Sequence, residues 1–220
     1  MRALFLALAC LLTTTAALAQ APAANDRALI DAAGRGDSTE TRRLLAAGAS
    51  VQARDEQRRT ALVAATYGNH IEVARLLIAA GADVNAQDNM LNSAYLLAGA
   101  RGHLEILRLT LKAGADLKST NRYGGTALIP ACHYGHVETV RELLATTTDV
   151  NHVNRLGWTA LLEAIILGDG GTAHTEIVRL LVAHKADVNL ADHQGVTPLA
   201  HARQRGYRGI ASLLESAGAR

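Results

Sequence analysis

Apolar residues recur along the chain in short paired runs with the spacing of amphipathic helices. In one such pair, Thr60 precedes an Ala/Leu run and takes the position of a helix N-cap. Gly68 and Asn69 interrupt the run, and a second apolar stretch over residues 71–80 ends at Gly81, the position of a C-cap. The pattern predicts two short helices joined by a turn, followed by a polar loop that leads into the next pair.

This helix pair is one copy of a unit that repeats along the chain. The starts of successive first helices are 33, 33, 33 and 38 residues apart, so one unit carries five extra residues. These starts read Thr60-Ala61-Leu62, Ser93-Ala94-Tyr95, Thr126-Ala127-Leu128, Thr159-Ala160-Leu161 and Thr197-Pro198-Leu199. A period in this range is typical of stacked repeats, in which each unit buries its apolar face against its neighbours. We therefore expect an all-α array of about six units.

Composition narrows the classes of function. The 220 residues are 49% apolar, include only seven aromatics and carry a formal net charge of +2. The chain has no block of basic residues and no basic stretch with interleaved aromatics, so nucleic-acid binding is not expected.

The N-terminus does not follow the repeat. Arg2 is followed by an almost wholly apolar stretch over residues 4–12 and by a small-x-small site at residues 17–19. This order predicts a secretory signal peptide over residues 1–19, with an apolar core too short to span a membrane. Two alternatives are a buried N-terminal helix and a lipid anchor on Cys10, which lies inside the apolar core.

Cleavage after residue 19 would leave a mature chain with Cys132 as its single cysteine. One thiol cannot form an internal disulfide, so the stability of an exported chain must come from its stacked apolar faces. We expect a periplasmic protein, with secretion beyond the cell as the alternative. We also expect a monomer that has no membrane span and needs no cofactor or metal.

The repeated units resemble ankyrin repeats. The residues that carry the resemblance are Gly102-His103-Leu104-Glu105-Ile106, Gly135-His136-Val137-Glu138, Gly81-Ala82-Asp83-Val84-Asn85 and Thr197-Pro198-Leu199. The resemblance implies a solenoid of helix-turn-helix units with short β-hairpin fingers, a concave recognition face and a non-enzymatic protein-binding function. The predicted organisation is a signal peptide over 1–19, a flexible lead-in over 20–25, and a repeat domain over 26–220 with units at 26–54, 55–87, 88–120, 121–153, 154–191 and 192–220.

The resemblance also implies where a protein partner would bind, because such contacts come from the finger residues and from the end of each first helix. Among the positions that correspond here, the predicted contact residues are Arg59, Tyr67, Met90, Arg101, Arg122, Tyr123, His133, Tyr134, Leu156, Trp158, Ile166 and Leu167. Four of the six aromatics that follow residue 19 fall in this set. Since Tyr, Trp and Arg dominate interface hot spots, we predict a binding groove centred on the fourth and fifth units. The alternative is that these side chains only pack one finger against the next.

The five extra residues, 169–173, lengthen the loop between the two helices of the fifth unit. They come just after Ile166 and Leu167, so one hypothesis makes them a lip over the groove. The alternative is a neutral Gly-rich surface loop, because such insertions cost little stability.

Other polar residues recur with the repeat and are better explained as scaffold. The Glu/Arg pairs three residues apart predict solvated ion pairs, one on the outer face of each unit. Four histidines share one position between the two helices, where the resemblance implies a bond to the backbone. The pairs are Glu72/Arg75, Glu105/Arg108, Glu138/Arg141 and Glu176/Arg179, and the histidines are His70, His103, His136 and His174.

The function predicted from the sequence is binding of an unidentified protein partner, without catalysis. One alternative is an accessory, stabilising or inhibitory partner of an exported enzyme. An alternative of another class is an enzyme or small-ligand binder that uses Cys132 and His133. We expect Cys132 to be a buried, inert thiol instead.

Overall fold

The computed structural model describes the backbone of residues 14–220 and the side chains of residues 24–220, and all the regular secondary structure within this part of the chain is helical. Most of the predicted signal peptide lies outside the described residues. The contacts divide the chain into two compact units, residues 1–83 and 84–220.

In the first compact unit, a long helix and a short one form the first pair, and two short helices form the second. Their bounds are α1 Thr14–Arg35, α2 Ser38–Ala46, α3 Ala61–Tyr67 and α4 Ile71–Ala79. Helix α1 runs through residues 20–25, for which the sequence predicts a flexible lead-in. The predicted cleavage site, between residues 19 and 20, lies inside α1.

The second compact unit contains four further helix pairs. Their bounds are α5 Ala94–Arg101, α6 Leu104–Lys112, α7 Leu128–His133, α8 Val137–Leu144, α9 Ala160–Ile166, α10 Thr172–Ala183, α11 Pro198–Gln204 and α12 Arg208–Ser216. Helices α5, α7 and α9 are almost wholly buried, whereas α11 and the second helices of the pairs bury one face only. The described chain thus shows the six pairs and the all-α fold class that the periodicity predicts.

The hydroxyl residues at the unit starts cap the first helices as predicted. The side-chain oxygens of Thr60, Ser93, Thr159 and Thr197 each accept the backbone N–H three residues on, at 3.2–3.3 Å. Each of these bonds satisfies one of the helix-terminal N–H groups that would otherwise be unpaired.

The fourth unit departs from this pattern because Pro130 occupies its first helix. In the second, third, fifth and sixth units the residue at the equivalent position donates its N–H to the carbonyl of the capping residue, as Glu163 does to Thr159 at 2.9 Å. Proline has no N–H to donate. Helix α7 accordingly begins only at Leu128, and the buried Thr126 hydroxyl has no hydrogen-bonding partner among the described residues.

The fingers are tight turns, and no β-strand occurs among the described residues, so the implied hairpins have no strand ladder. At each finger an Asp or Asn side chain accepts two backbone N–H groups, those two and four residues further on. In the fifth unit, Asn154 Oδ1 accepts the N–H of Leu156 at 2.9 Å and that of Trp158 at 3.0 Å. The equivalent residues are Asp55, Asp88, Asn121 and Asp192. This recurrent bonding fixes the finger backbone locally.

The predicted backbone role of the repeated histidines is confirmed at three of the four positions. His70 Nε2 lies 3.1 Å from the Gly34 carbonyl oxygen, and His174 Nε2 lies 2.9 Å from that of His133. His136 bonds the backbone of Ala100 in the same way. These three residues tie helices α4, α8 and α10 to the helix pair that precedes each of them.

The predicted Glu/Arg ion pairs are also present, and they lie on exposed surface. Glu105 and Arg108 are 3.0 Å apart, and Arg108 also reaches Glu142 of the following unit at 2.9 Å. Arg141 similarly reaches Glu176 at 3.5 Å. Exposed ion pairs of this kind contribute about 0–1 kcal/mol each to the free energy of unfolding, so most of the stability comes from apolar burial.

Candidate functional site

The second compact unit has a groove of about 380 Å³ between the finger turns and the ends of the first helices. Seven of the twelve predicted contact residues line it, namely Met90, Arg122, Tyr123, His133, Tyr134, Leu156 and Leu167. The structure therefore brings together predicted contact residues from the third, fourth and fifth repeats.

The other five predicted residues do not line this groove. Arg101 is exposed, whereas Trp158 and Ile166 are half-buried. Arg59 and Tyr67 belong to the first compact unit, where Arg59 borders a smaller cavity of about 320 Å³ and pairs with Asp55 at 2.7 Å.

The rim of the groove is unusually apolar for exposed surface. Seven large hydrophobic side chains are exposed in the described part of the chain, and five of them line the groove. These five are Met90, Tyr123, Tyr134, Leu156 and Leu167, with exposed fractions of 42–60%. Isolated apolar side chains on a surface need no explanation, but a contiguous patch of them marks a contact site.

One end of the rim is organised around Arg122. Its guanidinium lies 4.7 Å from the centre of the Tyr123 ring, and its Nη2 donates to the Tyr123 hydroxyl at 2.7 Å. Its Nη1 also contacts Met90 Sδ at 3.1 Å. The cation is thereby held over the aromatic face, an arrangement that the ring quadrupole favours.

The floor of the groove holds a carboxylate that was not among the predicted contact residues. Glu163 is only 7% exposed, and its Oε1 accepts a hydrogen bond from Asn154 Nδ2 at 2.8 Å. The equivalent positions of the three preceding units are Ala64, Leu97 and Pro130. This replacement of an apolar residue by a carboxylate in a first helix was the available signal in the sequence. Glu163 was not predicted because the prediction rested on the exposed aromatics and considered the carboxylates of the recurring outer Glu/Arg pairs instead.

Beside Glu163, the ring of His133 stacks on that of Tyr134, with centroids 4.1 Å apart and planes inclined by 15°. His133 Nδ1 lies 3.9 Å from Glu163 Oε2, which is too long for a hydrogen bond. Oε2 therefore lacks the hydrogen bond that Oε1 receives from Asn154.

Burial controls the protonation of this floor. Desolvation raises the pKa of Glu163 to about 7, and the hydrogen bond from Asn154 offsets only part of that rise. Desolvation, followed by the nearby His174, lowers the pKa of His133, so its imidazole is neutral at pH 7. The floor thus carries a carboxylate that titrates near neutrality beside a neutral imidazole.

The thiol considered as a nucleophile is buried beneath this floor. Cys132 has no exposed surface, and desolvation raises its pKa, with the charge of Glu163 as a second cause. Because the thiolate is the reactive form, this environment makes Cys132 a poor nucleophile.

The inserted residues 169–173 do not line the groove, whose lining stops at Leu167. Asp169 Oδ1 lies 2.8 Å from His174 Nδ1, at the beginning of helix α10. The neighbouring Gly168 carbonyl accepts the hydroxyl of Tyr207 at 2.8 Å. The insertion is therefore held by its own unit and by the last one, and nothing in this arrangement places it over the groove.

Among the residues that the structure describes, no group of three or more His, Cys, Asp or Glu side chains could hold a metal ion. None of the helices in that part of the chain has the length and apolar character to cross a membrane.

Comparison with known proteins agrees with this architecture. The sequence profile described as ankyrin repeats in three copies matches residues 6–88 and 95–189. An ankyrin repeat domain from Acinetobacter baumannii shares 59% identity, with a TM-score of 0.85, over 87% of this chain and 98% of its own. An Enterococcus ankyrin repeat protein shares 39% identity, with a TM-score of 0.83, over 86% of this chain and 97% of its own.

A more distant similarity is to the ankyrin repeat domain of Bcl-3, a member of the IkappaB family. It shares 29% identity, with a TM-score of 0.77, over 87% of this chain and 86% of its own. No protein with a curated description matches the chain. Ankyrin repeat domains are in general protein-interaction modules, and their fold is typically a non-enzymatic scaffold. The extent of the profile match and the two bacterial similarities show that the chain belongs to the ankyrin repeat family.

Proposed function

We propose that the protein binds a protein partner through the groove lined by Tyr123, Tyr134, Leu156 and Leu167 in its second compact unit. The observation that carries the proposal is that five of the seven large exposed hydrophobic side chains of the described chain line this one groove. Water contact with this apolar surface would be removed when a partner covers it, and that removal drives association.

The local structure of the groove favours binding with little loss of entropy. The Asn121 and Asn154 side chains hold the two finger turns in place before any partner arrives. The Arg155 N–H also donates to the Tyr123 carbonyl at 2.9 Å and so links the two fingers. A preordered surface loses less conformational freedom on docking than a mobile one does.

We further propose that the protein acts in the periplasm after export, with secretion beyond the cell as the alternative. The support is the order of Arg2, the apolar stretch over 4–12 and the small residues at 17–19. Its partner would then be another exported protein, for example an enzyme that it stabilises or inhibits. Cell fractionation and N-terminal sequencing test the idea, with Gln20 as the expected first residue. A cytoplasmic protein that retains its leader would contradict it.

Affinity capture from a periplasmic extract tests the binding role. The intact protein is compared with the Tyr134→Ala/Leu156→Ala double variant, in which both changes lie on exposed rim positions. Val153→Ala is the matched control, because Val153 is an exposed apolar residue that does not line the groove. We expect the double variant to lose the partners that the intact protein and the control retain. Equal capture by all three proteins would overturn the proposal.

A further inference from the structure

The polar floor of the groove points to the chemistry of what the groove accepts. An apolar rim alone would suit an apolar side chain of the partner. Such a side chain would give the buried carboxylate beneath the rim no further hydrogen-bond donor or cation. Glu163 lines the groove although only 7% of its surface is exposed. Placing a carboxylate there costs stability unless hydrogen-bond donors or a cation meet both of its oxygens.

The two oxygens of Glu163 have different surroundings. Oε1 accepts the amide of Asn154 at 2.8 Å, whereas Oε2 has only His133 Nδ1 near it, at 3.9 Å. No described lysine or arginine pairs with this carboxylate. Arg122, the cation of the rim, is engaged by Tyr123 and Met90 instead.

We propose that the groove accepts a lysine side chain of the partner protein, with its ammonium group bound between Glu163 Oε2 and His133 Nδ1. The inference rests on the proposed function and adds the chemistry of the partner's anchoring residue. Its aliphatic stem would lie along the apolar rim formed by Tyr134, Leu156 and Leu167, as lysine stems do on apolar surfaces.

The spacing of the two acceptor atoms suits an ammonium. A nitrogen about 2.8 Å from each of two atoms 3.9 Å apart would see them at an angle of about 90°, close to the spread of two N–H bonds. A guanidinium would instead prefer both oxygens of a carboxylate in a planar fork, and Oε1 is already engaged by Asn154. The geometry therefore favours lysine over arginine.

The protonation state of the floor supports the same ligand. Burial keeps His133 neutral at pH 7, so Nδ1 can accept a hydrogen bond when the ring proton is on Nε2. An ammonium close to Glu163 would favour its charged form and draw its pKa below the value of about 7 that burial imposes. Binding is therefore expected to release protons near neutral pH and to weaken on acidification. The other titratable or charged groups near this floor are Cys132, which stays protonated, Arg122, Tyr123 and Tyr134 of the groove lining, and His174, whose Nε2 lies 2.9 Å from the His133 carbonyl oxygen.

The test uses nuclear magnetic resonance titrations of the isotope-labelled protein with amino-acid amides. Nα-acetyl-lysine amide is the probe, Nα-acetyl-norleucine amide has a similar stem without the ammonium, and Nα-acetyl-arginine amide carries the competing cation. We expect the lysine probe to bind with a Kd on the order of millimolar, as a fragment of this size would, and to shift resonances of His133 and Tyr134. The norleucine probe should bind at least about tenfold more weakly, and acidification to about pH 5.5 should weaken the lysine probe.

Glu163→Gln removes the charge and keeps an oxygen for the Asn154 bond, so the variant is expected to fold. Its affinity for the lysine probe should fall about tenfold. Glu138→Gln, on the exposed outer face beside Arg141, is the control and should leave the titration unchanged. The inference is overturned by equal binding of the norleucine probe, by tighter binding of the arginine probe, or by an unchanged affinity in Glu163→Gln.

These outcomes can be separated from failure of the proposed function. If partner capture depends on Tyr134 and Leu156 and the lysine probe does not depend on Glu163, the groove binds proteins by its apolar rim and the lysine inference fails alone. If the probe depends on Glu163 and capture is insensitive to the rim, the lysine site stands and the proposed partner groove fails.

Discussion

Asn154 and Glu163 form a hydrogen bond of 2.8 Å that joins the finger of the fifth unit to its first helix. The amide does two things at once, because its oxygen accepts two finger N–H groups while its nitrogen donates to the carboxylate. The sixth unit has Asp192 and His201 at the equivalent positions, 2.7 Å apart. In both units a donor therefore faces an acceptor, although the two residue types are exchanged.

Replacing Asn154 by Asp should destabilise the protein in a pH-dependent way. The aspartate can still accept the finger N–H groups, but its second oxygen would face Glu163 Oε1 where an N–H donor lay. Two carboxylates so close cannot both be charged without a large cost, so we expect a loss of about 2–3 kcal/mol at pH 8. Near pH 5 a shared proton should recover most of it. Urea unfolding at the two pH values measures the difference.

Asn121→Asp is the matched control for that substitution. Asn121 accepts the same two finger N–H groups, but the residue that corresponds to Glu163 is Pro130. We expect a change within about 0.5 kcal/mol at both pH values. A similar loss in both variants would show that the finger turn itself requires an amide, and it would contradict the carboxylate explanation.

Glu163→Gln should stabilise the protein at alkaline pH. The pKa of Glu163 is raised from an ordinary 4.5 to about 7, so the folded state holds a proton that the unfolded state has lost between those values. Stability from this group therefore falls as pH rises from about 4.5 to about 7 and then stays low. Glutamine removes the dependence, and the variant should exceed the parent by up to about 3 kcal/mol at pH 8. The two proteins should converge near pH 4.5.

The difference between the two unfolding curves is the quantity to measure in that experiment. His133, whose lowered pKa makes acidification destabilising, is present in both proteins, so its contribution largely cancels in the difference. A constant difference between pH 4.5 and pH 8 would mean that folding does not raise the pKa of Glu163.

The repeat predicted the fold because each local signal agreed with the next. Thr60 and Thr159 cap helices, and His70 and His174 bond the backbone, as their recurring positions require. A residue that recurs at every unit reports the shared scaffold, so the period alone separates it from residues that are free to vary.

The groove was only partly predictable. Tyr134 lies at the end of a first helix and Leu156 lies in a finger, and the exposure of both positions follows from the repeat. Whether such a residue packs inward or faces the groove depends on the finger turn and its neighbours, and Trp158 is accordingly half-buried and outside the lining. Glu163 was not predicted because its importance comes from its burial and from the lack of a hydrogen bond to Oε2, and neither follows from residue type.

Alanine substitutions at Trp158 and Tyr134 should separate packing from binding. Trp158 is half-buried and does not line the groove, so Trp158→Ala should lower stability by about 2 kcal/mol through lost apolar contacts. Tyr134 is 60% exposed, and Tyr134→Ala should change stability by less than about 1 kcal/mol. Thermal unfolding measures both effects, and partner capture should fall mainly in the Tyr134 variant. If Trp158→Ala reduced partner capture without lowering stability, Trp158 would belong to the contact surface after all.

Pro130→Ala should stabilise the second compact unit. Alanine supplies the N–H that Pro130 lacks, so helix α7 can form the bond to the Thr126 carbonyl that the other first helices make to their capping residues. Recovery of one helical hydrogen bond and removal of a proline inside a helix should raise the free energy of unfolding by about 1 kcal/mol. Pro198→Ala is the control, because Pro198 stands at the first position of α11, where proline is favoured and no bond is recovered. We expect that variant to be neutral or slightly destabilised by urea unfolding. A loss of stability in Pro130→Ala would show instead that the proline ring packs the groove wall more effectively than the recovered bond compensates.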